Sequence, residues 1–382
     1  MDRRNFLSLL AGAALAPAGI ANTSLKQQSL VIIELQGGND GLNTVVPFAD
    51  PAYATLRPTV KLDRDKLWKL DEQFGLHPDM SKLKGCWEDK QLAIVQGLGY
   101  DDPNRSHFRS HDIWATASAA DERKQTGWLA DELVGSVPSV QAVIFGNRVS
   151  LVEGRGLNYI SMRRTRDFIR AKLPEIKGLA EQATPSQRHL HTVLQNTLKY
   201  QGVLRNHSGL KTVKDAQANF GSSLFAKQLA DAAQLIRAGV APPVISLSLR
   251  GFDTHANQHI RQAKLLKELS TALAGFRQEL LISGHWNDTL VVTWSEFGRR
   301  AAENASGGTD HGTAAPQFLL GGRVNGGLHG VQPSLSDLQN DDLVHRVDFK
   351  QLYAAISEQW WGKKDSTVWD KKAPPLRLIR SV

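Results

Sequence analysis

Short apolar runs recur along this chain, each followed directly by a polar, often glycine-rich turn, with longer amphipathic stretches between them. The runs are Leu30 to Leu35, Leu92 to Val95, Ala142 to Phe145, Val244 to Leu249, Thr289 to Thr293 and Phe318 to Leu320. Runs this short and this apolar fit strands buried on both faces, and their alternation with helical stretches predicts an α/β fold: a mainly parallel central sheet with helices on both faces. Ligands bind such sheets outside the carboxyl ends of the strands, so the turns after the runs are expected to gather on one rim. Residues 158–220 read differently, as helical, basic and rich in Gln, Arg and Lys, with Gly202 to Gly209 as an internal turn. That segment is expected to be a helical insertion or cap beside the sheet, either a solvated surface or a lid that attracts an anionic substrate. Asp348 to Trp361 has helical spacing, and its stripe of Leu352, Ile356 and Trp360 is expected in the core.

The chain opens with Arg3-Arg4-Asn5-Phe6-Leu7 and continues through a small-residue apolar stretch, Ser8 to Ala21, with no charge before Lys26. This resembles the twin-arginine signal, which is read by a receptor and removed. The expectation is a signal peptide over residues 1–21, a single mature domain over residues 22–382, the twin-arginine translocation machinery as partner, and the periplasm as destination. Cys86 is the only cysteine, so no intrachain disulfide can form in spite of an oxidising destination. The whole chain carries a formal charge of +8, and loss of Arg3, Arg4 and Asp2 would leave +7. A basic mature protein favours an anionic small-molecule or polymer substrate. No aromatic-interleaved basic patch or helix-turn-helix signature supports specific nucleic-acid binding, and no later stretch is long and apolar enough to be a second membrane span.

The polar turns hold the residues able to do chemistry. After the first run comes Gly37-Gly38-Asn39-Asp40-Gly41, with glycines flanking a carboxylate; it reads equally as a plain turn or as a site. After the second, Asn104 is a credible N-cap, which would put Ser106 of Ser106-His107-Phe108 in a first helical turn, where exposed amides favour negative charge. After the fourth, Phe252-Asp253-Thr254-His255 spaces a carboxylate and an imidazole two residues apart, so that both can reach one ion or can simply pair. After the fifth come Ser295-Glu296-Phe297-Gly298-Arg299 and then Asp310-His311-Gly312, and Gly327-Leu328-His329-Gly330 adds a further histidine in a glycine-rich turn. Several glycine-flanked Asp/His turns on one rim point to a metal site.

With these motifs in place, the whole mature chain resembles the exported bacterial "domain of unknown function 1501" family, and the order of its motifs is similar to that of the alkaline phosphatase superfamily. The resemblance implies an alkaline phosphatase-like fold and two divalent transition metals, zinc or manganese. It places Asp40, Ser106, Asp310 and His311 around one ion and Asp253, His255 and His329 around the other. It implies an exported metal-dependent hydrolase or transferase acting on a phosphate, phosphodiester or related anionic ester, with Ser106 as nucleophile. His107 or Asn43 could face the metals in place of Ser106, His259 could stand in for His255, and Glu296 has no assigned place. Sulfatase chemistry is not expected, because neither Cys86 nor Ser106 begins a Cys/Ser-x-Pro-x-Arg stretch. The alternative is a non-catalytic exported binding or structural protein that keeps the fold and perhaps one metal.

Overall fold

The computed structural model describes residues 28–381 except 134–139, 155, 174–177, 179–182, 212–217, 364–365, 367 and 370–373. The expected signal peptide, residues 1–21, lies outside the described residues. Among the described residues, nine strands form the main sheet: β1 Ser29–Gln36, β2 Leu92–Gly99, β3 Ala142–Phe145, β4 Tyr159–Met162, β5 Val244–Arg250, β6 Thr289–Trp294, β7 Ala315–Leu320, β8 Gly327–Gly330 and β9 Val347–Asp348. Their order is β8-β2-β7-β6-β1-β5-β3-β4, with β9 also paired to β2. Only β7 runs against its neighbours; the other pairings are parallel. Each of the six apolar runs is therefore a strand, and the sheet is mainly parallel as expected.

The absence of polar alternation in β1 follows from its place at the centre. Val31, Ile33 and Leu35 point into one apolar core and Leu30 and Ile32 into another on the opposite face, all fully buried. Each such side chain contributes roughly 1.5–3 kcal/mol by leaving water, so a charge at Ile32 would be severely destabilising. One core is closed by α3 (Leu224–Arg237) and α4 (Gln258–Ile282), which presents Leu266, Leu269, Leu273, Phe276 and Leu280 at three- and four-residue spacing. The other is closed by α1 (His107–Thr116) and α5 (Phe349–Ala355). Trp114 stacks on Phe349 with ring centroids 4.4 Å apart, and Tyr353 Oη donates to Trp114 O at 3.0 Å, which clamps α1 in place. Leu352, Ile356 and Trp360 are buried in this core, as the stripe predicts.

The 158–220 segment departs from expectation at its start. Tyr159–Met162 is the edge strand β4, whose residues alternate in burial, with polar Ser161 exposed between Ile160 and Met162, so it does not read as an apolar run. Beyond it the described residues include helices, chief among them α2 (Pro185–Asn206), which Thr184 and Gln187 cap reciprocally and Pro185 opens. Gly202 lies inside α2 and not in a turn. Cys86 is buried, and burial pushes its thiol up to about 12, so it is an inert core residue.

Candidate functional site

The parallel register of β1 with β5 and β6 brings their carboxyl ends together, pairing Gln36 with Arg250 and Glu34 with Trp294. The turns that follow must then pack on one another. Gly37 turns at φ 118°, and a Cβ there would sit 2.3 Å from Asp253 N, so only glycine allows the two turns to touch. Glu296 Oε1 accepts from Gly37 N at 2.8 Å, and Ser295 Oγ bridges Leu35 O at 2.7 Å and Asn39 N at 3.0 Å. Arg299 ties the arrangement from beneath. Its fully buried guanidinium donates to Gly38 O at 2.7 Å, Thr309 O at 2.8 Å and Asp253 Oδ1 at 2.6 Å, as an ion removed from water requires.

Above Arg299, three side chains converge. His255 Nε2 stands 2.9 Å from His311 Nε2 and 3.1 Å from Asp253 Oδ1, and His311 Nε2 stands 3.2 Å from the same oxygen. Their other ring atoms determine what converges. His255 Nδ1 faces the Asp310 carboxylate at 2.9 Å, and His311 Nδ1 faces Arg105 O at 2.8 Å. Both partners can only accept, so each neutral ring holds its proton on Nδ1 and its lone pair on Nε2. Three electron-rich atoms thus meet within 3.2 Å with no donor between them. Ligands at about 2.0–2.1 Å from a tetrahedral ion lie about 3.3–3.4 Å apart, so the donor set suits a transition ion in both chemistry and spacing.

His107 approaches as a fourth donor, its Nε2 3.5 Å from Asp253 Oδ2 and its Nδ1 2.9 Å from Glu296 Oε1. His107, Asp253 and His311 offer ligand atoms all within 4.8 Å of one another. Each histidine is thus oriented by an acceptor behind it: Asp310, Arg105 O or Glu296. That is the usual way a metal-binding imidazole is held. Glu296 Oε2 is buried with no hydrogen-bond partner among the described residues. The electrostatics favour an open donor set. Burial would raise the Asp253 carboxyl, but the hydrogen bond and charge of Arg299, with His311 and His255, outweigh it and hold the group at about 2. Burial also lowers His311, which favours its neutral, lone-pair form, whereas the Glu296 hydrogen bond raises His107.

Asp253, His255, Asp310 and His311 are therefore brought together, Asp310 behind His255. Gly308 makes this possible, since a Cβ there would lie 2.3 Å from His255 C. Two expected ligands are placed elsewhere. Asp40 is fully buried, and its oxygens accept from Leu42 N at 3.1 Å, Arg57 Nη2 at 3.0 Å, Arg57 Nη1 and Gln258 Nε2. Four donors fill the roughly four lone-pair positions of a carboxylate, so Asp40 is saturated. His329 lies on β8, three strand positions from β6 and so on the order of 14 Å away at ordinary strand spacing, with its Nε2 on Asn325 O at 2.7 Å. Asn43 is buried against Val60 O, Tyr53 Oη and Arg57 Nη1, and His259 is exposed on α4. Ser106 is the exposed N-cap of α1, where Asn104 was expected; Asn104 Oδ1 instead accepts from Ser106 N at 2.9 Å, and Ser106 makes no side-chain capping bond. His107 and Glu296 enter the cluster as the residues whose place the motifs left open.

A cleft of about 690 Å³ opens beside the cluster. Asp253, His107 and Glu296 line one part and Arg148 and Arg250 another, and Phe108, 86% exposed, stands at its edge. Among the described residues, no helix is long and apolar enough to cross a membrane.

The family model described as "Protein of unknown function (DUF1501)" matches residues 27–359, and the chain belongs to that family. No curated protein matches the sequence. Among solved structures, the chain is similar to the lipoteichoic acid synthase of Listeria monocytogenes at 11% identity and a TM-score of 0.34, covering 81% of this chain and 67% of that one. It is similar to alkaline phosphatase from the Antarctic bacterium TAB5 at 10% identity and a TM-score of 0.35, covering 78% and 92%. A protein in the alkaline phosphatase superfamily from Vibrio parahaemolyticus matches at 12% identity and a TM-score of 0.30, covering 78% and 60%.

Proposed function

We propose that this member of the family is an exported, metal-dependent hydrolase or transferase acting on a phosphate, phosphodiester or related anionic ester. The observation that carries the reading is the convergence of Asp253 Oδ1, His255 Nε2 and His311 Nε2 within 3.2 Å, with the Nδ1 atom of each histidine turned to an acceptor. The motif order shared with the alkaline phosphatase superfamily supports the reaction class. Asp253, His255, His311 and His107 would hold a zinc or manganese ion, which when bound supplies Lewis-acid polarisation of the ester and lowers the pKa of a nearby hydroxyl. The cluster accounts for one ion. The second ion that the motif order implies would need donors other than the saturated Asp40 and the distant His329.

The chain's own groups divide the remaining work. Arg148 and Arg250 bind and orient an anionic group in the cleft. Asp310, Arg105 O and Glu296 keep the three imidazoles turned toward Asp253. Ser106 is the proposed nucleophile, at the N-terminus of α1, where exposed amides favour an alkoxide or a phosphoryl adduct. The twin-arginine machinery as partner and the periplasm as working compartment belong to the same proposal.

The test is turnover of a panel of phosphomonoesters and phosphodiesters by the mature, metal-loaded protein and by Ser106→Ala. The proposal expects metal-dependent turnover that the variant loses without a change in melting temperature. Turnover of nothing on the panel would favour the non-catalytic binding protein. Turnover retained in Ser106→Ala would keep the hydrolase and remove Ser106 from it.

A further inference from the structure

The same cleft carries a second constellation that the metal reading leaves unused. His111 lies one helical turn beyond His107, on the same face of α1, and is 6% exposed. Its Nε2 stands 2.9 Å from Ser150 Oγ and its Nδ1 3.0 Å from Glu34 Oε1. Glu34, on β1, is 2% exposed; its other oxygen accepts from Ser248 Oγ at 2.6 Å and pairs with Arg148 Nε at 3.1 Å. An ionised carboxylate only accepts, so neutral His111 keeps its proton on Nδ1 and turns the Nε2 lone pair to the Ser150 hydroxyl. Arg148 and the hydrogen bonds from His111 and Ser248 outweigh burial, which would raise Glu34, and hold its pKa below the ordinary value.

The three residues are layered from solvent inward. Ser150 and His111 line the cleft, and the carboxylate lies behind them in the sheet. A hydroxyl bonded to an imidazole that is itself oriented by a buried carboxylate is the arrangement of nucleophile, general base and orienting group. Glu34 already has Arg148 and Ser248 to offset its charge, so its bond to His111 Nδ1 is not needed merely to neutralise the carboxylate.

A second cavity of about 600 Å³ adjoins the cleft and shares Asn147, Arg148 and Arg250 with it. Phe145, Met162, Leu224, Phe225, Leu247 and Leu249 help to line it. An apolar chamber next to a nucleophile suits the chain of an acyl group.

We propose that Ser150, His111 and Glu34 form a serine acyl-esterase site whose substrate is a carboxylic ester, with its acyl chain in the apolar cavity. Ser150 Oγ adds to the ester carbonyl carbon while its proton passes to His111 Nε2. The bond from that carbon to the alcohol oxygen breaks, and the alcohol leaves with the proton. Water, deprotonated by the same imidazole, then adds to the acyl carbon and releases the carboxylic acid, which restores Ser150. Arg148 and Arg250 supply positive charge for the oxyanion.

The experiment treats the full mature protein, in the presence of a chelator, with a fluorophosphonate probe and with p-nitrophenyl esters from acetate to decanoate. The expected result is one modified residue, Ser150, found by peptide mass and absent in Ser150→Ala. Ester turnover should fall on the order of 10³-fold or more in Ser150→Ala and in His111→Ala. Leu224→Trp, which fills the apolar cavity, should shift preference toward the shorter esters. Ser150→Ala changes one half-buried hydroxyl, and an unchanged melting temperature in that variant guards against misfolding. Label on another residue, no label at all, or turnover within about two-fold of the parent in Ser150→Ala would overturn the proposal. Because the chelator removes any ion at the Asp253 cluster, failure here is distinct from failure of the phosphoester reading.

Discussion

Asp40 and Asp253 begin from the same local design and end in opposite conditions. Each follows a central strand in a turn that glycine makes possible, and each is gripped by an arginine with no exposed side-chain surface. Asp40 is then sealed by four donors and fully buried, whereas Asp253, 46% exposed, receives one guanidinium and faces the lone pairs of His255 and His311. One carboxylate has spent its bonding capacity on holding the loop; the other keeps capacity directed at a cleft. Donor count, more than residue type or motif, separates the saturated aspartate from the one with bonding capacity to spare.

The largest expected effect tests the sealed side. Arg57→Met leaves Asp40 charged, buried and short of its principal donor, which should cost about 3–5 kcal/mol, read as a shift in the denaturant midpoint. A cost below about 1 kcal/mol would mean that Asp40 is not a buried ion pair in solution. Next, Asp310→Ala should weaken ion binding at the open cluster by about 10–100-fold, because His255 loses the acceptor that sets its tautomer; titration calorimetry with zinc measures it, and unaltered affinity would break the contrast. A smaller effect concerns acid. Asp253 titrates near 2 in the fold against an ordinary 3.8, so its pairing contributes stability above pH 3.8 that is lost as pH falls toward 2. Asp253→Asn in the metal-free protein should therefore lose less stability over that window, a difference that thermal melts in a pH series would detect. The smallest expected effect is none: His329→Ala should leave zinc affinity within about two-fold, and a larger loss would place a ligand on β8 after all.

Much of this was legible in the chain. The six apolar runs are strands because each is buried on both faces, a condition that residue type alone reveals. The glycine-flanked turns gather on one rim because parallel register puts them there, so Asp253, His255, Asp310 and His311 were all expected on that rim; the motif order divided them between two ions, whereas His255 contacts both Asp310 and His311. Asp40 could not be separated from them, because the donors that saturate it come from Arg57 and Gln258, whose approach depends on tertiary packing. His329 shares the local pattern of the Asp253 cluster but sits on a strand beyond β7 and β2. His107 and Glu296 are oriented by a contact spanning 189 positions in the chain, and β4 alternates buried with exposed residues and so leaves no apolar run.

The central claim is that Asp253, His255 and His311 hold an ion and do not merely share a proton. Elemental mass spectrometry of the purified protein, beside Asp253→Asn, tests it most directly. The account predicts about one transition ion per chain in the parent and almost none in the variant, with both chains folded. No stoichiometric ion in either would contradict it and leave the three side chains as a protonated hydrogen-bond cluster.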